Sequence, residues 1–258
     1  MMKIALAGNP NSGKTTLFND LTGSSQYVGN WPGVTVEKKE GQLRAHEDVT
    51  IQDLPGIYSL SPYSMEEVVA RQYLVNERPD ALINIVDGTN IERNLYLTTQ
   101  LLELDIPMVL AINMIDLVKK NGDEIDLKGL EKELGCKVMS LSALRSEGSM
   151  EVAEAAIQLA KMRPSIKNPH VFTGSVEHAL AHIEESIEST VGHAGLRWAA
   201  VKVFERDEKA IQEMHLDPAI LDHVESHIID CEKEMDDDAE SIITGQGMII
   251  LPRSFKLV

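Results

Sequence analysis

The feature that most constrains this chain is a glycine-rich loop between an apolar run and the beginning of a helix. Residues 8–15 read Gly-Asn-Pro-Asn-Ser-Gly-Lys-Thr, which fits the pattern G-x-x-x-x-G-K-[ST]. Residues 3–7 are apolar and suit a buried strand, and residues 16–22 suit the first turns of a helix. Backbone N–H groups of such a loop, added to the free N–H groups of a helix start, form a cradle for anions. The sequence therefore predicts a nucleoside triphosphate site here.

The residue types within the loop match the demands of a phosphate site. Gly8 and Gly13 let the main chain turn and approach a phosphate closely. Lys14 adds a cation for the outer phosphates, and the Thr15 hydroxyl can ligate Mg²⁺. A chance match in an ordinary strand–turn–helix is the alternative, and the flanking strand and helix argue against it. The predicted nucleotide-binding residues of this segment are Gly8, Asn9, Pro10, Asn11, Ser12, Gly13, Lys14, Thr15 and Thr16.

The charge of the chain excludes several classes of partner. Its 258 residues carry a formal net charge of −17. Nucleic acids and anionic lipid surfaces both require clustered Lys and Arg, so neither is an expected partner. Two cysteines, Cys136 and Cys231, provide no disulfide framework and are typical of a reducing, cytosolic setting. Because no secretory signal and no apolar run of membrane-spanning length is recognisable, we expect this chain to be soluble.

Apolar runs and amphipathic segments alternate over residues 1–165, which predicts an α/β domain. The expected fold is a mostly parallel sheet of six or seven strands flanked by helices. The predicted strands are 3–7, 34–43, 48–53, 81–87, 107–113 and 137–141. The predicted helices are 14–22, 64–77, 91–104, 126–134 and 149–162. The second and third strands are too close in sequence for a crossover helix, so they should form an antiparallel hairpin at one edge.

The character of the sequence changes near residues 162–169, where two prolines and several polar residues mark a linker. We predict a small all-helical domain at residues 170–246, with helices at 175–192, 194–206, 207–214 and 217–244. Residues 247–258 differ again and are either the beginning of a further segment or an artificial addition.

Local signals predict three helix ends. Residues 64–67, Ser-Met-Glu-Glu, form a capping box, and Gly135 occupies the position of a C-terminal glycine. Asp217 and Pro218 fit an N-cap followed by the first helical position. The two glutamates of the capping box could instead contact the nucleotide site or the helical domain, although the helix start is the simpler interpretation.

An Asp-x-x-Gly motif, residues 53–56, follows the strand predicted at 48–53. An Asp at a strand end beside a phosphate loop can hold Mg²⁺ through water, and the backbone N–H of Gly56 can reach a terminal phosphate. Alone the motif is a weak signal, but one hairpin after a phosphate loop it is informative. We predict Asp53 as a magnesium site and Gly56 as a nucleotide-sensing, catalytic residue.

The base is specified by Asn113-Met-Ile-Asp116 at the end of the strand 107–113. The Asp116 carboxylate can accept hydrogen bonds from guanine N1–H and the 2-amino group, whereas adenine offers neither donor. A buried carboxylate left unpaired costs about 1–3 kcal/mol or more, so this motif favours GTP over ATP. The loop after 137–141 can offer backbone N–H groups to the guanine oxygen. The predicted base-binding residues are Asn113, Met114, Asp116, Ser142, Ala143 and Leu144.

The order of these motifs resembles the small GTPases of the translation-factor-related class over residues 1 to about 165. The stretch Tyr27-Val-Gly-Asn-Trp-Pro-Gly-Val-Thr-Val-Glu-Lys-Lys-Glu-Gly41 resembles the first switch region of FeoB-type ferrous iron transporters. Residues 8–11, 53–60 and 92–97 are also similar to that family. The helical segment is similar to the family's helical domain, which is thought to favour GDP retention and to relay the nucleotide state.

The resemblance to FeoB-type transporters implies a GTP-hydrolysing switch that regulates or drives ferrous iron uptake. It implies that a transmembrane iron-permease part of the same full-length protein lies outside this chain. This portion would then lie at the cytoplasmic face of the bacterial inner membrane, and the full-length protein could form a homo-oligomer.

Phosphoryl transfer needs positioning and charge neutralisation more than covalent help. Thr35, which follows Gly33 and Val34, can join Thr15 as a Mg²⁺ ligand when the switch stretch closes over the γ-phosphate. Many GTPases carry a Gln directly after D-x-x-G to orient the attacking water. This chain has Ile57 there, so another group must position the water.

Asn11 resembles the asparagine that helps to ligate K⁺ in potassium-activated GTPases. Backbone carbonyls near Gly29 and Trp31 could complete such a site, and K⁺ would supply the charge of an arginine finger. We therefore predict Mg²⁺ and K⁺ as cofactors and slow, K⁺-stimulated hydrolysis. Asn11 as a simple turn residue is the alternative. The predicted catalytic residues are Asn11, Lys14, Thr35 and Gly56.

Two other functions are compatible with parts of the sequence. A ribosome-assembly or RNA-modification GTPase would carry a basic domain, and the net charge of −17 argues against it. A nucleotide-gated regulatory module with negligible hydrolysis is kept open by Ile57. Met114 replaces the Lys that GTPases often carry, which predicts modest affinity and easy nucleotide release. Two histidine pairs with the i, i+4 spacing of metal ligands are interpreted as ordinary helix-surface residues: His178 with His182, and His223 with His227.

Overall fold

The computed structural model describes residues 1–61, 63–162, 172 and 174–249, and of residues 247–249 it describes only the backbone. The described chain divides into two compact units. The first comprises residues 1–102 and 106–162, and the second comprises 103–105, 172 and 174–249. The linker predicted at 162–169 and the tail predicted at 247–258 therefore lie almost entirely outside the described residues.

The first unit contains a seven-stranded sheet among its described residues, with the strand order β2-β3-β4-β1-β5-β6-β7. The strands β4, β1, β5, β6 and β7 are parallel, and β3 alone runs in the opposite direction, pairing antiparallel with both β2 and β4. This confirms the predicted α/β class and the mostly parallel sheet. The strands are β1 Met2–Gly8, β2 Gln26–Asn30, β3 Glu37–Leu43, β4 His46–Asp53, β5 Ala81–Asp87, β6 Met108–Asn113 and β7 Lys137–Ser140.

The edge of the sheet differs from the prediction. The hairpin of β3 and β4 exists, but the edge strand is β2, which the sequence did not predict. Its residues 26–30 lack a regular apolar alternation because the strand pairs only with β3, and three of its five residues are exposed. The strand predicted from residue 34 begins at Glu37, because Trp31 N–H donates to the Val36 carbonyl and closes a turn ahead of it.

The helices of the first unit lie where parallel strands need crossovers, and they follow the predicted order. The structure adds α4, which was not predicted, and it splits the helix predicted at 64–77 into α2 and a π-helical turn at Tyr73–Glu77. The helix predicted at 91–104 ends at Leu102. The helices are α1 Lys14–Thr22, α2 Met65–Gln72, α3 Ile91–Leu102, α4 Ile115–Asn121, α5 Leu127–Leu134 and α6 Ser149–Met162.

The core of the first unit lies on both faces of the central strands. Strand β6 is buried along its whole length and β5 along all but its last residue, as expected for parallel strands covered by helices on both sides. Helix α1 contributes Leu17, Phe18 and Leu21 to this core, and all three side chains are fully buried. The carboxyl ends of β1, β4 and β6 are thereby held rigidly, and these ends carry the predicted motifs.

The second unit is helical throughout its described residues. Its helices are α7 Ser175–Val191, α8 Leu196–Phe204, α9 Glu208–Met214, α10 Pro218–Met235 and α11 Ala239–Ile249. The prediction of one helix over 217–244 was wrong, because Asp236 adopts a left-handed conformation at φ 53° and ends α10. Asp238 then accepts the Ser241 N–H and begins α11. None of the helices in the described part of the chain is both long and apolar enough to cross a membrane.

The predicted helix ends are confirmed. Ser64 accepts the backbone N–H of Glu67 while the Glu67 carboxylate accepts the N–H of Ser64, which is a complete capping box. Gly135 lies at the C-terminal end of α5 with φ 65°. Asp217 caps α10 and Pro218 is its first residue.

Candidate nucleotide-binding site

The glycine-rich loop connects β1 directly to α1, as its sequence context requires. β1 ends at Gly8 and α1 begins at Lys14. Gly13 has φ 91°, and a Cβ atom at this position would collide with the side-chain amide of Asn113. No other residue type therefore fits here without displacing a side chain from the neighbouring strand β6.

Lys14 and Asp53 form a buried ion pair beneath the loop. Lys14 Nζ lies 2.5 Å from Asp53 Oδ1, and the side chains are only 9% and 6% exposed. The two residues meet because β4, which ends at Asp53, pairs in parallel with β1. Burial raises the pKa of Asp53, and the positive charge of Lys14 opposes that rise. A cation beside Lys14 would favour the ionised form of this carboxylate further.

Three polar atoms of the loop are buried without a hydrogen-bond partner among the described residues. They are both side-chain amide atoms of Asn9 and the hydroxyl of Ser12. Buried polar groups are nearly always paired, so unpaired ones at a glycine-rich helix start are typical of a site that receives a ligand. The donors, the lysine and the adjacent carboxylate fit a nucleotide phosphate together with Mg²⁺.

Asn113 connects the phosphate loop to the loop after β7. Its side-chain nitrogen donates to the Ser12 carbonyl at 2.9 Å, and its side-chain oxygen accepts the Ala143 N–H at 2.9 Å. Asn113 is 3% exposed, so both bonds are shielded from water. The predicted base-binding Asn113 thus holds two loops of the site together by one amide group.

Asp116 lies in the first turn of α4 and faces the same loop. Its Oδ1 accepts the hydroxyl of Ser142 at 3.0 Å, and its Oδ2 lies 3.3 Å from Arg145 Nε. Met114 stands at the N-terminal end of α4 in a left-handed conformation with φ 61°. The side chain of Leu144 points into solvent and is 87% exposed, so its backbone is the part of Leu144 that can contact a ligand.

The Asp-x-x-Gly segment runs back over the phosphate loop. Leu54 N–H donates to the Leu6 carbonyl, and Ile57 N–H donates to the Gly8 carbonyl at 3.2 Å. A Cβ atom at Gly56 would lie 3.2 Å from the Cα of Pro10, so the two loops are in close contact. The Ile57 side chain is 2% exposed and belongs to the core.

The switch-like stretch lies between β2 and β3. Gly33 has φ 77°, Val34 is partly buried, and Thr35 is exposed in a bend. Trp31 is buried, its ring packs edge-on against Tyr73 with centroids 5.4 Å apart, and its carbonyl accepts the Val34 N–H. The structure therefore places Thr35 at the surface rather than among the buried groups of the site.

The remaining predicted residues are distributed over two segments. Asn11, Thr15 and Thr16 are exposed on the phosphate loop and α1, and Asn11 has φ 67°. Gly29 lies in β2 opposite Lys38 of β3. Sequence reasoning missed Arg145, whose proximity to Asp116 arises only when the loop after β7 folds next to α4.

Comparison with protein families assigns both units. Residues 2–156 match the family model of ferrous iron transport protein B, and residues 172–247 match the model of the FeoB cytosolic helical domain. The chain belongs to the FeoB family. The predicted resemblance to FeoB-type transporters is thereby confirmed.

Relatives within the FeoB family are similar over nearly all of this chain. The Fe(2+) transporter FeoB of Escherichia coli K12 is 41% identical over 92% of this chain, which corresponds to 31% of that protein. The Fe(2+) transport protein A/FeoB fusion protein of Porphyromonas gingivalis is 40% identical over 95% of this chain and 31% of its own length. This chain thus spans about a third of the length of the curated FeoB proteins that it matches.

Solved FeoB structures match the whole fold. A variant of S. thermophilus NFeoB bound to GDP has a TM-score of 0.95 at 43% identity, covering 98% of both chains. NFeoB from S. thermophilus bound to GDP.AlF4⁻ and K⁺ has a TM-score of 0.91 at 44% identity, covering 98% of this chain and 99% of the other. The sheet and helices described above are therefore those of an FeoB N-terminal region.

Proposed function

We propose that this chain is a GTP-binding and slowly hydrolysing switch that regulates or drives ferrous iron uptake through a membrane part of a longer protein. The observation that carries the proposal is the connection of the phosphate loop to the base loop through Asn113. The same end of the sheet also brings Lys14 to Asp53 and Asp116 to Ser142. The phosphate loop after β1 and the Asp116 carboxylate after β6 thus lie at the same edge of the sheet with β5 between them, which supports a GTP site.

Base recognition follows from the groups around Asp116. The carboxylate accepts N1–H and the 2-amino group of guanine, while Met114 covers the base and Asn113 holds the loops in place. The N–H of Ala143 already donates to Asn113, so the N–H of Leu144 is the group we assign to the guanine oxygen.

Phosphate binding and sensing fall to the glycine-rich loop and the two switch segments. Lys14 neutralises the outer phosphates, and Thr15 with Asp53 would hold Mg²⁺, the latter through water. Mg²⁺ neutralises charge on the phosphate oxygens during transfer. Thr35 would be a further ligand of Mg²⁺ once its exposed bend closes, and Gly56 would offer its N–H to the terminal phosphate. The exposed position of Thr35 is consistent with a segment that must move to act.

The side chain after the Asp-x-x-Gly motif cannot orient water, because Ile57 is apolar and buried. We therefore propose that K⁺ supplies the positive charge that an arginine finger would bring to the phosphates. This K⁺ would be held by Asn11 together with backbone carbonyls near Gly29 and Trp31. The K⁺ found with GDP.AlF4⁻ in the S. thermophilus relative supports this assignment.

Transport itself is proposed from the relatives, which are named Fe(2+) transporters and are about three times as long as this chain. The iron-permease part would belong to the remainder of such a protein, and the present unit would signal its nucleotide state to it. We place the chain at the cytoplasmic face of the membrane on the same ground.

Multiple-turnover phosphate release from GTP tests the proposal. We expect the rate in K⁺ to exceed the rate in Na⁺ by about tenfold, since one charge aimed at the transferring phosphate has effects of this order or larger. Asn11→Ala should remove the difference between the rates of phosphate release in K⁺ and in Na⁺. Asn121→Ala, at the exposed end of α4, is the matched control and should retain it.

Two results would contradict the proposal. Equal rates of the Asn11→Ala variant and the parent in both cations would remove the assigned role of Asn11. Tight GTP binding with no turnover in either cation would instead favour the nucleotide-gated module, which the buried Ile57 keeps as the second candidate.

A further inference from the structure

Both oxygens of the base-side carboxylate are engaged by a single loop. Asp116 Oδ1 accepts the Ser142 hydroxyl at 3.0 Å, and Oδ2 lies 3.3 Å from Nε of Arg145. Ser142 and Arg145 flank Ala143, whose N–H is bonded to Asn113. The carboxylate assigned to guanine is therefore paired within the protein on both of its oxygens.

The two partners of Asp116 differ in how easily they can be displaced. Ser142 is 1% exposed and is held by the fold, whereas the Arg145 side chain is 59% exposed. An exposed ion pair is weak, and a long side chain that reaches into water can move away at little cost. The Asp116 side chain itself is only 18% exposed while Arg145 contacts it.

The backbone beneath Arg145 is fixed even though its side chain is free to move. Arg145 N–H donates to the Ser142 carbonyl at 3.0 Å, and Ser146 next to it adopts φ 55°. The Ser146 hydroxyl donates to Asp20 Oδ1 of α1 at 2.7 Å. Arg145 can therefore approach or leave Asp116 by side-chain rotation without a rearrangement of the loop.

Guanine needs the oxygen that Arg145 contacts. Its N1–H and 2-amino group are adjacent donors, and together they pair with the two oxygens of one carboxylate. When the base departs, a mostly buried carboxylate would be left with an unpaired oxygen, which is unfavourable. A guanidinium that takes over this oxygen lowers the free energy of that state.

We propose that Arg145 competes with guanine for Asp116 and thereby accelerates nucleotide release. The inference rests on the proposed function, because it requires guanine at Asp116. Arg145 would thus affect nucleotide exchange through its contact with Asp116, without contacting the phosphates or the metal.

Release of fluorescently labelled GDP, chased with excess unlabelled GDP in a stopped-flow instrument, tests the inference. Arg145→Ala should slow release by about twofold to fivefold, the range expected for one exposed ion pair. Arg145→Lys retains a cation, so its rate of GDP release should lie between those of Arg145→Ala and the parent. Lys128→Ala removes one exposed charge from α5 and serves as the control, with release unchanged.

Labelled IDP distinguishes competition at the carboxylate from a general charge effect. Hypoxanthine lacks the 2-amino group, so one oxygen of Asp116 stays available to Arg145 while IDP is bound. Arg145→Ala should therefore slow IDP release less than GDP release.

Unchanged or faster GDP release in Arg145→Ala would overturn the inference, and so would equal slowing for GDP and IDP. Thermal unfolding of each variant confirms that it is folded before release is measured. If the parent fails to bind labelled GDP at all, the proposed function itself is contradicted.

Discussion

At the scale of single residues, the properties of the site depend on a few side chains that cannot be exchanged for close analogues. Asp116 is such a residue, because both of its oxygens must accept hydrogen bonds. An asparagine has the same shape but replaces one acceptor by a donor. The substitution therefore changes which base edge is complementary to the site.

We expect Asp116→Asn to weaken GDP binding by about 10- to 100-fold, corresponding to about 1–3 kcal/mol for a mispaired buried polar group. Xanthosine diphosphate, which presents an oxygen in place of the 2-amino group, should bind the variant better than the parent. Isothermal titration with both nucleotides measures the exchange of preference. Asp123→Asn, just beyond α4, should leave both affinities unchanged, and a variant that still prefers GDP would contradict guanine recognition by Asp116.

The residues that sequence reasoning located share one property: each performs its role through a constraint that is local in sequence. Gly13 and Lys14 belong to a contiguous loop, and Asp53 and Asp116 stand at predicted strand ends. Arg145 could not be found in this way, because its partner lies in another helix and no sequence spacing signals the contact. The unpaired side chains of Asn9 and Ser12 likewise become informative only when their burial is known.

At the scale of elements, buried strands and capped helices were predictable and marginal elements were not. β5 and β6 are predominantly apolar, and the capping box of α2 is explicit in the sequence. β2 is an exposed edge strand whose existence depends on pairing with β3, so it has no periodic signal of its own. The end of α10 depends on a left-handed Asp236, and this conformation is only occasional for aspartate, so the residue type alone does not mark the helix end.

The helical unit brings together two histidine pairs that the sequence shows only as separate pairs. The His182 and His227 rings stack 4.5 Å apart across α7 and α10, His178 lies 4.5 Å from His182, and His223 lies 5.4 Å from His227. In the described part of the chain, no three His, Cys, Asp or Glu side chains are arranged to hold a metal ion. The consequence of the cluster lies in the protonation of His227, whose ring contacts those of His182 and His223.

Stability of the helical unit should decrease in mild acid because of this cluster. Burial lowers the pKa of His227. The pKa is lowered further by the nearby His182, His223 and His178, and the charge of Asp230 opposes the shift. A lowered pKa means that His227 binds its proton at a lower pH in the folded chain than in the unfolded chain. Neutral His227 therefore stabilises the fold above a pH of about 6.5, and this contribution is lost as the pH falls below that value.

Urea unfolding followed by Trp198 fluorescence, in a Trp31→Phe background, measures this effect in the helical unit. The parent should lose more stability than His227→Gln between pH 7.5 and pH 5.5. Parallel pH profiles of the two proteins would contradict a role for the cluster. Other carboxylates of the chain contribute equally to both proteins, so the difference between the two profiles isolates His227.

At the scale of the whole molecule, the dominant property is a formal net charge of −17. An anionic nucleotide approaching such a surface is repelled over a distance of about 10 Å at 0.1 M salt, even though Lys14 attracts it locally. Screening by salt reduces this long-range repulsion.

We expect the association rate of GDP to rise as the ionic strength is raised from about 10 to about 200 mM, because the Debye length shortens over this range. Tetramethylammonium chloride at constant free Mg²⁺ varies the screening without varying K⁺. Stopped-flow association of labelled GDP measures the rate. A rate that falls with salt would show that local attraction by the phosphate loop outweighs the overall charge.

The two bonds of the Asn113 side chain have a thermodynamic consequence for how a nucleotide is held. The amide joins the phosphate loop to the loop beside the base, so ordering either loop restricts the other. A ligand fragment that orders one loop reduces the conformational entropy that the second fragment must still remove. Guanosine and pyrophosphate should therefore bind this chain with positive cooperativity, each raising the affinity for the other by the same factor.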